Sequence, residues 1–143
     1  MIVAFEYGVD QPVAVVFAAM AAIERRPEWV TPALERTPLT KGPIRAGARF
    51  RARDGYPGRR VEFVHEIIRY EPNELLEEAW SGPMAGTMVT RFANNGEATD
   101  LAIRMEVNPA GFLRLVAPLM KGWLVRSLRK DFVRFEDLVS REP

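Results

Sequence analysis

His65 is the only histidine in the chain, and in VEFVHEII it shares one strand face with Val61, Phe63 and Ile67. An imidazole among apolar neighbours can transfer a proton near neutral pH or hydrogen-bond a ligand. The stretch ELLEEAW adds Glu77 and Glu78 ahead of Trp80. Adjacent strand residues point to opposite faces, so only Glu78 can share the side of Trp80. If that side is inward, the Glu78 carboxylate is expected to have a raised pKa, suited to proton transfer or to gripping a polar ligand end. Both residues also have a plain reading, His65 as a core histidine satisfied by a neighbour and Glu78 as a glutamate solvated on an outer face.

A third concentration of charge is RAGARFRARDGYPGRR, which holds Arg45, Arg49, Arg51, Arg53, Arg59 and Arg60 in one hairpin. Arg49, Arg51 and Arg53 fall on one strand face and form a row toward water, able to meet phosphate or an acidic partner. Glu62 and Glu66 on the following strand are placed to pair with that row. Ala48, Phe50 and Ala52 take the opposite face, where the small alanines leave space beside Phe50.

Composition removes several other chemistries. The chain has no cysteine, so disulfides, thiolate nucleophiles and cysteine-bound metals are excluded, and a single histidine argues against a zinc site. No motif supports a serine–histidine–carboxylate triad, and no glycine-rich phosphate loop follows the first strand. No cofactor is expected. A net charge of +1 makes no bulk demand for nucleic acid or anionic membrane, though a local basic patch is compatible with it. MIVAFEYGVDQP has no basic leader, and Arg114, Lys121 and Arg126 interrupt the C-terminal apolar stretch well short of the roughly 20 residues a bilayer span needs. A cytoplasmic location is expected, with the oligomeric state open between monomer and homodimer.

The elements that must carry these residues can be read from periodicity. IVAFEYGV alternates, with Val3, Phe5, Tyr7 and Val9 on one face. Asp10 is a candidate cap and Pro12 a first-turn residue for a helix whose stripe is Val13, Val16, Phe17 and Met20, and Pro27 limits that helix. From Ala33 to Val107 come ALERTPLT, ARFRARD, RRVEFVHEIIRYE, ELLEEAWS, GTMVTRFAN and TDLAIRMEV, separated by short Gly-, Pro- and Asn-rich links. Six short strands joined this way predict an antiparallel meander. Asn108 and Pro109 open a final helix over 112–135 with the stripe Leu124, Leu128, Phe132, Phe135 and Val139, and a second set, Phe112, Val116, Leu119 and Trp123, rotated from it. Pro118 is expected to kink or divide that helix. The 143 residues form one domain, 1–143, of α+β class.

In this order of elements the chain resembles the START-like superfamily, also called the Bet v 1-like or helix-grip fold, and within it the polyketide cyclase/dehydrase-like group. The local marks are VDQPVAVVFAAM leading into RPEWV, then GPIRAGARF, HEIIRYEPNELLEEAW, and NPAGFLRLVAPLM with LRKDFVRFEDLV. The resemblance implies a seven-stranded curved antiparallel sheet wrapped around the C-terminal helix, with short helices after the first strand and an internal hydrophobic cavity. Its relatives bind lipids, sterols, polyketides or hormones, and a minority catalyse cyclisation, dehydration or hydrolysis. Fold points to a pocket more strongly than to a reaction.

On that frame the ligand-binding candidates are Tyr7, Trp29, Phe50, Phe63, His65, Trp80, Met88, Phe92, Met105 and Trp123, aromatic and methionine side chains suited to a mostly apolar guest. The expected function is binding of a small hydrophobic or amphipathic molecule. One alternative is a cyclase/aromatase or dehydratase using His65 or Glu78 as acid/base. Others are an interaction module like the chaperone activators of this fold, or a membrane-surface lipid carrier using GFLRLVAPLMKGWLV as lid or docking face.

Overall fold

The computed structural model describes residues 1–31, 33–56, 58–109 and 114–141. Its elements are β1 (Ile2–Val9), α1 (Val13–Ala21), a 3₁₀ helix (Ile23–Glu28), β2 (Ala33–Pro38), β3 (Arg49–Tyr56), β4 (Arg59–Glu71), β5 (Leu75–Ser81), β6 (Ala85–Asn95), β7 (Ala98–Asn108) and α2 (Ala117–Arg141). The seven strands form one sheet in the order β1-β7-β6-β5-β4-β3-β2, every pair antiparallel. The expected meander is present, with β1 added beside β7 at one edge. Alternation is the cause. In β7, for example, Leu101, Ile103, Met105 and Val107 are buried while the residues between them are exposed.

Register sets the inner face into rows that cross the strands. Phe50, His65, Trp80, Gly86 and Val107 are successive partners from β3 to β7. The next row runs Ile67, Glu78, Met88, Met105 and Val3. Further along lie Phe92, Leu101 and Tyr7. Bulges between Ala33 and Glu35 and between Ile67 and Arg69 increase the local twist and bend of β2 and β4.

The helices differ from expectation at their ends. Asp10 does not cap α1. Pro12 occupies the N-cap position with no side-chain bond, and the Asp10 N–H donates instead to Glu136 in α2. Pro27 is accommodated inside the 3₁₀ helix. Asn108 ends β7 rather than capping α2, which starts at Ala117; Phe112 lies outside the described residues. Pro118 sits in the first turn of α2, where a missing amide hydrogen leaves no bond unmade, so it begins the helix instead of kinking it.

Helix α2 is held along its C-terminal half. Phe132, Phe135 and Val139 are fully buried, and Phe132 packs against Phe5 and Tyr7 of β1 at 5.7 Å between centroids and against Trp29 at 5.5 Å. Trp29 also meets Phe135 at 4.8 Å. At the same end Phe17 of α1 packs edge-on against Phe92 and Tyr70. The N-terminal half of α2 has no fully buried residue, its buried side chains beginning at Asp131. It stands over the Trp80 and Met105 rows without filling the space between.

Trp80 lies flat along the floor of that space because its cross-strand partner is glycine. A Cβ on Gly86 would come within 2.5 Å of the Trp80 ring and 2.7 Å of the Glu106 carbonyl oxygen. Gly86→Ala is therefore expected to destabilise the protein by about 1–3 kcal/mol through overpacking, read as a lowered urea midpoint. An unchanged midpoint would show that Trp80 is free to move.

Candidate functional site

The space left under the N-terminal half of α2 is a cavity of about 500 Å³. Val116, Met120, Trp123, Leu124 and Leu128 form its roof. The side chains of Met88 of β6, Met105 and Val107 of β7, and Met1 supply one apolar wall. The opposite wall, from the 3₁₀ helix and β2 to β5, mixes Phe63, Val61 and Trp80 with Arg26, Arg36, Asp54, Tyr56, His65 and Glu78. Such a volume and mixture suit a drug-sized molecule with one polar end.

Two buried ion pairs stiffen the polar wall. Arg26 grips Glu78 with both terminal nitrogens, at 3.1 and 3.0 Å, and also donates to the Met20 carbonyl at 2.9 Å. The two side chains are 6% and 2% exposed, and the Arg26 guanidinium lies 5.4 Å from the Trp29 ring centroid. Arg36 pairs with Asp54 at 2.7 Å. Because each buried charge has an opposite partner, this wall carries little net charge. Among the described residues Arg26 Nε, Arg36 Nε, Trp29 Nε1 and His65 Nδ1 have no hydrogen-bond partner. All four belong to residues of the cavity lining.

His65 stacks on Trp80 with ring centroids 5.6 Å apart and planes 22° from parallel. Burial lowers its pKa from 6.5 to about 4, with Glu78 acting in the opposite direction. The ring is therefore neutral at pH 7. On the roof side, Asp131 is buried and accepts from the Thr31 N–H at 3.2 Å and from Arg134 at 3.3 Å. Burial outweighs those bonds and raises its pKa from 3.8 to about 6. Arg134 also donates to the Thr31 hydroxyl at 2.6 Å, which ties the loop before β2 to α2.

Seven of the ten residues read from sequence as ligand contacts line this cavity: Trp29, Phe63, His65, Trp80, Met88, Met105 and Trp123. Tyr7, Phe50 and Phe92 face inward but lie elsewhere. Tyr7 packs on Phe132 and donates to Glu136 at 3.2 Å, Phe92 is covered by Phe17, and Phe50 is buried beside a separate groove that includes Ile23. Glu78 is inward, as its alternation with Trp80 requires, but as half of an ion pair rather than a solitary acid. The arginine row faces outward and is met by carboxylates: Arg49 by Glu66, Arg53 by Glu62 and Glu35, Arg51 by Glu35. Arg26, Arg36, Asp54 and Asp131 are additional site residues. For Asp54 and Asp131 a sequence signal exists, the inward alternation Phe50, Ala52, Asp54 and the apolar stripe Leu128, Asp131, Phe135. Among the described residues no three or more His, Cys, Asp or Glu side chains are grouped as a metal ion would require.

Known proteins give the site a setting. The family model described as polyketide cyclase/dehydrase and lipid transport matches residues 4–140. Protein TTHA0849 from Thermus thermophilus superposes with a TM-score of 0.82 at 14% identity, covering 97% of both chains. A START superfamily protein from Mycobacterium smegmatis gives 0.79 at 14% identity, over 98% of this chain and 97% of that one. The ZhuI aromatase/cyclase from Streptomyces sp. R1128 gives 0.69 at 16%, over 97% and 90%. Identities this low establish the shared helix-grip fold and nothing finer. No curated protein matches the chain.

Two expectations follow from these electrostatics. Removing one member of the Arg26–Glu78 pair strands the other in the core, so Glu78→Ala should cost about 3–5 kcal/mol, whereas Arg26→Met with Glu78→Leu should cost much less. Equal losses in urea melts would mean the pair is not desolvated. The second concerns pH. The unfolded chain binds a proton at His65 that the folded one refuses between about pH 4 and 6.5, so this group makes stability rise with pH. The folded chain keeps a proton on Asp131 up to about pH 6, so that group makes stability fall with pH from about 4 to 6. Asp131→Asn should therefore gain about 2–3 kcal/mol relative to the parent between pH 4 and 7. Parallel stability curves for the two proteins would show that Asp131 ionises as it does in water.

Proposed function

We propose, from the premise that this chain belongs to the polyketide cyclase/dehydrase and lipid-transport family, that it binds a small amphipathic molecule between its sheet and α2. The observation that carries the reading is the 500 Å³ cavity with one apolar wall and one hydrogen-bonding wall. The apolar body of the guest lies along Met88, Met105 and Val107. Its polar end faces the wall of Arg26, Arg36 and His65, where guanidinium N–H groups favour an acceptor oxygen. Methionine adapts to irregular shapes, so the apolar wall accepts a class of molecules rather than one outline. The near balance of charge on the polar wall suits a carbonyl, ester or hydroxyl better than a free anion.

A second reading, cyclisation or dehydration, rests on His65. Its neutral ring beside the cavity can take a proton from a bound substrate, with Trp80 stacked behind it. A pKa of about 4 makes it a weak base at pH 7, below the range in which general-base catalysis is most effective. Glu78 is engaged by Arg26 through both oxygens, so its part here is to position Arg26 and not to carry the proton. Binding is the better-supported function.

Native mass spectra of the purified protein, compared with denatured spectra of the same sample, test the proposal. Extra mass lost on denaturation is the expected result. An apolar naphthalene dye supplies the probe if the protein purifies empty, and Met105→Trp, which fills the cavity from its apolar wall, should weaken dye binding about tenfold or more, equivalent to about 1.4 kcal/mol. Undiminished binding by a variant with a native-like urea midpoint would place the dye outside the cavity and defeat the proposal.

A further inference from the structure

Five of the six methionines in the chain border the cavity under α2: Met1, Met84, Met88, Met105 and Met120. The sixth, Met20 of α1, is 0% exposed and has no place in that lining. Met88 and Met105 are cross-strand partners on β6 and β7, so their side chains are neighbours on the inner face. They are buried, at 7% and 9% exposure, while Met1, Met84 and Met120 are half-buried. Leucine or valine would make as apolar a wall. What methionine adds is flexibility and a sulfur atom that peroxides oxidise.

Access decides which sulfurs react. A space of about 500 Å³ admits hydrogen peroxide, a molecule little larger than water. Met88 and Met105 are buried in the sheet and border that space, so an oxidant reaches them through it. A guest whose apolar body lies along them shuts the route. Met20 belongs to the packed core together with Phe17 and is reached only when the protein unfolds.

We infer that Met88 and Met105 are a paired site of oxidation by peroxide, open when the cavity is empty and shielded when it is filled. In the reaction one peroxide oxygen bonds to sulfur as the O–O bond breaks. The thioether loses two electrons and becomes a sulfoxide, and hydrogen peroxide is reduced to water. The product is polar and accepts hydrogen bonds. On this wall it meets the apolar body of the guest, which has no donor to give, so the oxidised cavity keeps water and refuses the guest. Peroxide thus switches off the empty protein and spares the loaded one. The inference rests on the ligand-binding reading for the guest alone, since the order in which the methionines oxidise is measured on the protein with nothing bound.

The full chain would be treated with hydrogen peroxide, with and without a saturating apolar naphthalene dye, and oxygen addition at each methionine followed by peptide mass spectrometry. Met88 and Met105 are expected to gain oxygen in the empty protein and to be protected by dye, while Met20 stays unmodified. The oxidised protein should then bind dye about tenfold more weakly. In M88L/M105L, whatever its starting affinity, dye binding should be the same before and after peroxide, although Met1, Met84 and Met120 still oxidise. Oxidation of Met20 at the rate of Met88 and Met105 would place the reaction in the unfolded chain and overturn the inference. Resistance of Met88 and Met105 in the folded protein, undiminished dye binding once both are sulfoxides, or an equal loss of affinity in M88L/M105L would overturn it as well. Failure of the dye to bind before any peroxide is added counts against the ligand-binding reading, and the order of oxidation then decides this one.

Discussion

Phe132 is the point at which the fold is closed. It touches Phe5 and Tyr7 from the first strand, Trp29 from the segment after α1 and Phe135 from the next turn of its own helix. Tilted and edge-on aromatic contacts of this kind add specific geometry to their buried area. They bind β1, an edge of the sheet, to a helix more than a hundred residues later in the chain. With α2 clamped there and α1 packed beside it, the filled end of the sheet is complete. The cavity is what remains at the other end, where the N-terminal half of α2 has no fully buried side chain and the sheet twists beneath it.

The polar wall belongs to the same geometry. Arg26 enters from the 3₁₀ helix and Arg36 from the bulged edge strand, and each meets a carboxylate that strand alternation has already turned inward. Burying four charges contributes little net stability, since desolvation offsets most of the attraction. What it does is determine position. A guanidinium held by two carboxylate oxygens and a backbone carbonyl cannot swing, so the cavity keeps a definite hydrogen-bonding surface whether or not it is occupied. His65 and Asp131 sit on opposite sides of the space with protonation equilibria displaced in opposite directions by the same cause, burial.

Much of this was legible in the residues. The two-residue period gives every strand and its inward face, including His65, Trp80, Met88 and Met105. The four-and-three spacing gives the buried stripe of α2. Depth along a strand is another matter: Tyr7 and Phe92 face inward as surely as Met105, but they lie in a row that the clamp and α1 fill, and periodicity does not tell one row from another. Arg26 was hidden for a different reason. ERRPEW has no alternation to say which arginine turns inside, and its partner Glu78 is fixed by a strand far along the chain. Pro118 shows the reverse error, since a proline is disruptive within a helix and harmless in its first turn.

The flat seating of Trp80 over Gly86 has an optical consequence. Trp29, Trp80 and Trp123 are the only tryptophans in the chain, and all three border the one cavity, on its polar wall, its floor and its mouth. Indole emission depends on local polarity and on nearby quenching groups, and here no fourth indole dilutes the signal. The ultraviolet fluorescence of the unlabelled protein is thus a report from a single space. Trp29 is enclosed and Trp123 half open to solvent, so the blue and red parts of that emission separate the interior from its entrance.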